Sequence, residues 1–546
     1  MKKYAFILIA MLACMMLIVG CNGKIESNET EKTSETQEVD KEIENTQTMS
    51  ETTESDAEDQ TETASIGNQE FIVGAREIAV GLSPVEPITT DYLVNMGAAE
   101  LLFKANAEGQ IEPSLAEGIT QIDSKTWEIS LRPDVTFWSG KKVDAAAVIA
   151  SLMHSKENDL KAAPFLEGMQ FSEKAPLIVE VKTDIENMPV ALNLSYLQLV
   201  IYNADMDFTS IDTADFTGMY RVVEFEPKQK MVFEINESYW GQKPTIQRVI
   251  HEEISDEQAR TVAALSGRYH VVMNIPSSSL SQFKDNEKVE IVAEPTANAE
   301  TIYLNLQKEK FQDVKVRQAL SWGLDREELV LLGAEGASRV VTTWLGGNPA
   351  YSEVANYMYD KYDLEKANQL LDEAGWLTDT DGLRKKDGEI LTINLMTWGV
   401  DKALGEAIQN QWSKLGIDAQ VQHGDYSLIE AARETGEWDA FIEAWGSFGN
   451  VAALLKGQYS LGASGNYGGY DDPETNEIMA KLEAAASEEE RHALAVEATK
   501  RIAEQAPVIC VYPRPELTAV STTVKGFTPH FRQFENVVNP NLTIEN

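Results

Sequence analysis

The chain has 546 residues, a formal net charge of −42, 43% hydrophobic residues and three cysteines. So acidic a surface repels phosphate backbones and anionic headgroups, which excludes nucleic acid as a partner and excludes a basic membrane-binding patch. The hydrophobic content and ten tryptophans suffice for a large core, and the length predicts two or three domains at roughly 100–200 residues each.

The first segment is Lys2-Lys3 followed by the uncharged run Ala5 to Gly20 and then Cys21. That run is shorter than the roughly 20 residues of a membrane span. A basic start, an apolar stretch and a small residue before the cut are the layout of a secretory signal. Ile18-Val19-Gly20-Cys21 resembles the lipobox of bacterial lipoproteins. The resemblance implies a signal peptide over 1–20, cleavage before Cys21 and acylation of that cysteine, which puts the mature chain outside the cytoplasm on a lipid tether. Residues 22–70 hold 15 acidic and 3 basic residues and no aromatic one. Such a composition cannot bury enough surface to offset chain entropy, so 21–70 is expected to be a disordered acidic tether, spanning roughly 35–40 Å. Cys510 lies in the apolar run Val508-Ile509-Cys510-Val511 and is expected to be a buried small hydrophobe, which leaves no disulfide in the mature chain.

From Phe71 onward strand-like and helix-like segments alternate, which predicts an α/β body. Ser255-Asp256-Glu257-Gln258 fits a capping box opening a helix, which leads to an apolar strand at Tyr269 to Met273. Asp325 with Glu328 starts another helix. Asp363 starts a third, ended by Gly375. The stretch 391–445 is the clearest unit: strand Leu391 to Trp398, helix Asp401 to Lys414 with Gly416 as its stop, strand Ile417 to Gln422, helix Tyr426 to Arg433, and strand Asp439 to Trp445. That succession predicts parallel strands with right-handed crossovers. Ligands of such sheets sit beyond the carboxyl ends of the strands. Two strands end alike, Thr397-Trp398-Gly399 and Ala444-Trp445-Gly446, so both tryptophans fall at that edge, each with an apolar face and one N–H donor.

Catalytic constellations are missing. No Gly-rich loop ends in Gly-Lys-Ser/Thr, and no serine sits in a nucleophile elbow. His251-Glu252 begins like a zinc-protease motif, but position 255 is Ser. The six histidines (154, 251, 270, 423, 492, 530) show no metal-ligand spacing. His423 is the one placed after a strand of the parallel unit. Neither an enzyme, a metal site nor a cofactor is expected.

Several ordered motifs remain. They are Gly109-Gln110-Ile111-Glu112-Pro113-Ser114-Leu115-Ala116-Glu117, then Lys125-Thr126-Trp127 and Leu131-Arg132-Pro133-Asp134-Val135-Thr136-Phe137. Further on come Thr217-Gly218-Met219-Tyr220, the segment Asn236 to Pro244, Val316-Arg317-Gln318-Ala319-Leu320 with Asp325-Arg326, and the segment Asp363 to Trp376. In this order they resemble the peptide/nickel family of extracytoplasmic solute-binding proteins that serve ABC transporters, over nearly all of 75–540. The resemblance implies a two-lobed α/β clamp of the type II periplasmic-binding-protein kind, in the large cluster with an extra subdomain in lobe I. Lobe I would hold 71–300 and return over 510–546. Lobe II would hold 301–509. The crossing segments would lie near 292–305 and 505–515. The ligand would be enclosed between the lobes and presented to an ABC permease with its ATPase subunits by a monomeric receptor.

The departures from the family bear on the ligand. Peptide-binding members carry an aspartate three residues after the strand-end tryptophan, and it pairs with the peptide's amino terminus. Here Trp445 is followed by Gly446-Ser447-Phe448-Gly449-Asn450. Nickel-chelate members hold the chelator's carboxylates with arginines, and the matching positions are Lys161 and Gln198. A methionine of that group falls at Tyr92. The expected pocket is aromatic and polar: Tyr92, Lys161, Gln198, Trp398, Trp445, Phe448 and Asn450. It suits an oligopeptide or a related small solute. A metal-chelate receptor and a peptide sensor without transport are the alternatives.

Overall fold

A computed structural model describes residues 70–207, 214–532 and 537–545. Cys21, the signal peptide and the tether over 22–69 lie outside the described residues. No described helix is long and apolar enough to cross a membrane.

A single ten-stranded sheet runs through both lobes. Its strands in chain order are β1 (Glu70–Ala75), β2 (Tyr220–Glu226), β3 (Lys230–Ile235), β4 (Arg248–Glu253), β5 (Val271–Val272), β6 (Val289–Leu304), β7 (Thr392–Trp398), β8 (Asp418–Gly424), β9 (Ala440–Gly446) and β10 (Val508–Ser521). The spatial order is β8-β7-β9-β6-β10-β5-β1-β4-β3-β2. β7 pairs in parallel with β8 and β9, as the alternation of strands and helices predicts. The helices between them are Lys402–Ser413 and Tyr426–Thr435. The apolar positions Ile393 and Leu395 of β7 and Leu404, Ile408 and Trp412 of the first helix fill the lobe II core.

The strands β6 and β10 join the two lobes. They are antiparallel, pairing from Val289 with Ser521 to Pro295 with Pro515 in lobe I, and again from Ala299 with Pro513 to Tyr303 with Val508 in lobe II. Between these stretches Thr296, Ala297 and Asn298 face Arg514 alone, so the register shifts at the crossover. Three prolines bracket it, and a proline has no N–H to give to a ladder. The freed backbone is used elsewhere: Ala297 N–H donates to the Phe531 carbonyl at 3.1 Å, and the Ala297 carbonyl accepts from Ser447 N–H at 2.8 Å.

Lobe I has its own core, in which Phe71, Val73 and Phe233 meet Val520, Val538 and Leu542 from the far end of the chain. A further four-stranded antiparallel sheet, Ala116–Asp123, Thr126–Leu131, Ile178–Thr183 and Met169–Ala175, packs with the helix Ala145–Asn158 around a third core. This is the extra subdomain of lobe I.

Helix starts follow side-chain chemistry. Asp325 and Asp363 accept from the N–H groups of Glu328 and Lys366, as expected, and the backbone turns left-handed at Gly375 just after the third helix. The first expected helix begins one residue later than the capping-box reading places it. Asp256, not Ser255, accepts from Ala259 N–H at 2.7 Å and caps Glu257–Leu265. The strand expected over Tyr269 to Met273 is laddered only at Val271–Val272.

Candidate functional site

The segment after β9 is held against the crossover. Ser447 is fully buried; its N–H and hydroxyl both donate to the Ala297 carbonyl, and its carbonyl accepts from the Asn348 amide. The chain then projects as a short finger, Phe448-Gly449-Asn450, from lobe II onto lobe I. Gly449 has φ +136°, and a Cβ there would run into the Tyr196 hydroxyl. That hydroxyl accepts from the backbone N–H of Asn450. The Asn450 side chain accepts from Ala453 N–H and caps the helix Val451–Tyr459. Phe448 packs edge-on against Phe531 at 5.1 Å, with the Arg532 guanidinium 4.7 Å above its ring.

The lobe I wall beside the finger is charged. Asp91, in the first turn of the helix Thr89–Asn95, is 8% exposed. Its carboxylate accepts from the Gln198 amide at 3.4 Å. Burial raises the Asp91 carboxyl, and the charges of Lys161 and Arg532 pull it back down. Lys161 is exposed. Arg532 donates to the Ser195 carbonyl at 3.0 Å. The structure therefore joins Lys161 and Gln198 through Asp91, and ties Phe448 to the same wall through Arg532. Tyr92, one residue beyond Asp91, turns the other way: it is 2% exposed in the lobe I core, tilted against His251 at 5.4 Å. Burial pushes its phenol up.

A second group stands on one face of β7 and β9. Met396 pairs with Phe441, so Trp398 comes level with Glu443, and Trp445 follows on the same face by the two-residue repeat of a strand. Trp398 packs on Tyr426 at 4.8 Å and Trp445 on Tyr467 at 6.3 Å. Both indole N–H groups are buried without an acceptor. Glu443 accepts from the Tyr426 hydroxyl at 2.8 Å and lies 3.5 Å from Arg433, whose guanidinium stacks over Tyr467. Burial first, then this hydrogen bond, pushes the Tyr426 phenol up to about 12. His423 is exposed and shares a 3.0 Å hydrogen bond with Thr397.

A third charged group lies at the crossover. Arg514 of β10 holds Glu300 of β6 at 2.5 Å and stands 3.6 Å from Asp401, three residues beyond Trp398. Both carboxylate side chains are 2% exposed. Burial, then the charge of Glu300, pushes the Asp401 carboxyl up to about 8, against the pull of Arg514.

Two grooves, of about 880 and 740 Å³, run between the lobe I subdomain and lobe II. Asn187, Met188, Pro189 and Arg491 line both. There Arg491 of lobe II donates to the Asn187 carbonyl of lobe I at 2.7 Å. Phe448 lines the larger groove and Asn450 the smaller, so the finger touches both, whereas neither tryptophan lines either one.

Among the described residues, no group of three or more His, Cys, Asp or Glu side chains is arranged to hold a metal ion. The sequence reading missed Asp91, Arg532 and Glu443. Glu443 was within reach, because it alternates with Trp445 on the strand face. Arg532 lies in a segment without periodicity and reaches the wall only through the tertiary fold.

A family model described as the middle region of family 5 of the bacterial extracellular solute-binding proteins matches residues 110–474. The nickel-binding periplasmic protein of Escherichia coli K12 is 27% identical over 374 residues, covering 64% of this chain and 70% of that protein. The oligopeptide-binding protein AppA of Bacillus subtilis 168 is 24% identical over 466 residues, covering 79% and 83%. The crystal structure of NikA from Brucella suis in complex with Fe(III)-EDTA superposes with a TM-score of 0.78 at 22% identity, over 87% of this chain and 100% of that one.

Proposed function

The chain belongs to family 5 of the bacterial extracellular solute-binding proteins, and from that premise we propose that it is a lipid-anchored receptor that captures oligopeptides, or a related small solute, between its lobes. The closed form then hands the solute to an ABC permease with its ATPase subunits. The observation that carries this reading is the pair of interlobe grooves of about 880 and 740 Å³ meeting at the Phe448–Asn450 finger. Each is at the scale of a site for a drug-sized ligand, about 300–1,000 Å³. Together they suit an extended solute better than a compact one.

Closure is a population shift. A solute touching both walls binds the closed form more tightly and draws the lobes together, and the crossover in β6 and β10 is where the backbone bends. Anchoring through Cys21 keeps the body near its permease.

A metal-chelate receptor is the second reading. Lys161 and Arg532 favour it, since both offer positive charge to a chelator's carboxylates.

The test is native mass spectrometry of protein purified without denaturation from cells grown in rich medium. A ladder of released masses spaced by amino-acid residues supports the peptide receptor. A single released mass with a transition-metal isotope pattern refutes it in favour of the chelate reading.

A further inference from the structure

On the receptor reading above, on which this rests, we propose that Arg491 is a latch between the lobes that limits the length of the solute the closed form accepts. The two interlobe grooves share Asn187, Met188 and Pro189 of lobe I and Arg491 of lobe II. Residues common to both grooves are the wall between them. That wall is built from two lobes and is closed by a hydrogen bond from Arg491 Nη2 to the Asn187 carbonyl at 2.7 Å. A solute confined to one groove leaves this bond in place. A solute that runs through both has to part it.

Each side of the latch is fixed from within its own lobe. Arg491 stands in the first turn of the helix Glu488–Gln505 and is 8% exposed. Its Nη1 donates to the Glu488 carboxylate, and its Nη2 also donates to the Ala485 carbonyl at 3.4 Å. A planar guanidinium held in this way keeps little rotamer freedom, so the N–H that crosses to lobe I is aimed before the lobes meet. On the other side Asn187 sits at φ +53°, in the left-handed region that asparagine tolerates better than most residues. Its N–H donates to the Ser124 carbonyl at 2.6 Å, and its Oδ1 accepts from the Gln121 amide at 3.0 Å. Both partners belong to the hairpin of Ala116–Asp123 and Thr126–Leu131, and the ring of Pro189 stiffens the segment two residues on. The Asn187 carbonyl is therefore presented to lobe II by fixed backbone.

The bond between the lobes belongs to the closed form, so it adds to the closing free energy of any solute that leaves it intact. A solute too long for one groove loses that contribution and must also displace a buried guanidinium from its acceptor. The latch therefore favours short solutes and disfavours long ones, which is discrimination by a repulsive element as well as an attractive one.

Native mass spectrometry of the full-length protein and of Arg491→Met, each purified without denaturation from cells grown in the same rich medium, tests this through the lengths of the peptides released. Methionine keeps an apolar stem and removes the donors. With the wall open, the longest released peptide should gain about two residues or more, about 7 Å of extended chain. Isothermal titration with the shortest and the longest peptides so identified should show opposite effects. The variant should bind the short one about 10-fold more weakly, the scale of one hydrogen bond to a charged group, and the long one more tightly than the wild type does. A merely structural role would weaken both alike. Arg491→Lys, which can still donate to the carbonyl, should keep the short ladder. Gln121→Ala, at an exposed position where folding is not at stake, loosens Asn187 from the other side; it should lengthen the ladder by a smaller amount, and it carries the test if Arg491→Met does not fold. Equal ladders in the wild type and the variants, or equal weakening of short and long peptides, overturns the inference and leaves the receptor intact. Release of no peptide from any of these proteins overturns the receptor reading and this inference with it.

Discussion

Asp401→Asn should change how the stability of the protein depends on pH, in a direction the crossover dictates. The Asp401 side chain is 2% exposed, and its Oδ2 accepts no hydrogen bond. Its nearest cation, Arg514, is already held by Glu300. Burial and the Glu300 charge push the carboxyl up to about 8, whereas in the unfolded chain an aspartate titrates near about 3.9. Between pH 4 and pH 8 the folded form therefore keeps a proton that the unfolded form has released. Stability is fully present below that window and falls as pH rises through it. The slope contributed by this one group is at most about 1.4 kcal/mol per pH unit, or about 4 kcal/mol between pH 5 and pH 8. Asparagine cannot ionise and has nearly the same shape. At pH 5 the variant should lie within about 1 kcal/mol of the wild type. From pH 5 to pH 8 it should gain on the wild type steadily, and above pH 8 the gap should be constant. Urea denaturation followed by tryptophan fluorescence at unit steps from pH 5 to pH 9 measures this gap, and subtracting one protein from the other cancels every other titrating group. A gap that stays constant from pH 5 to pH 8 would show that Asp401 is ionised in the folded protein, and the account of the crossover charges would be wrong.

Three further outcomes follow from the packing and the sequence. Gly449→Ala should weaken solute binding by about tenfold or more and lower the thermal transition as well, because φ +136° is a conformation alanine rarely adopts and its Cβ meets the Tyr196 hydroxyl of the facing lobe; adding Tyr196→Phe should restore part of the binding loss, and no loss in the single variant would mean the finger does not seat this way. Trp412→Ala should destabilise lobe II by about 3–5 kcal/mol, since Trp412 is fully buried and its N–H donates to the Leu320 carbonyl; calorimetry would read this as a lowered transition for lobe II. Cys21→Ala should abolish incorporation of labelled fatty acid into the protein, and label retained by the variant would rule out the lipid anchor at that residue.

The parallel unit was legible because each strand and helix carries its own period and its own stop. The strand–helix succession of 391–445 and the tryptophans at two strand ends follow from those local signals alone. The pairing of Lys161 with Gln198 came through resemblance, but the residue that links them, Asp91, did not. Asp91 and Tyr92 are adjacent on one helix turn, so their side chains leave the axis about 100° apart. An alignment that points at Tyr92 misses by one residue the side chain facing the charged wall. The sequence suggests Asn450 as a ligand-facing amide; in the structure its side chain caps a helix, a role its residue type allows equally well. Arg532 could not be found locally. It meets Asp91 from a segment more than four hundred residues away, and nothing in the composition of Phe527 to Arg532 signals the meeting.

The path of β6 and β10 also sets the order in which the molecule can be assembled. Lobe II is contained within one stretch of chain, so its contacts can form as soon as that stretch is available. Lobe I cannot be completed then, because Phe71 and Val73 share their core with Val520, Val538 and Leu542. Loops of that length carry a high entropic cost of closure, and contacts of such separation form slowly. The later lobe must therefore wait with β1 and its apolar face uncovered until the last strand arrives. Substitutions in the tail that barely alter the finished protein would then act on its yield, through the time that face stays open to aggregation.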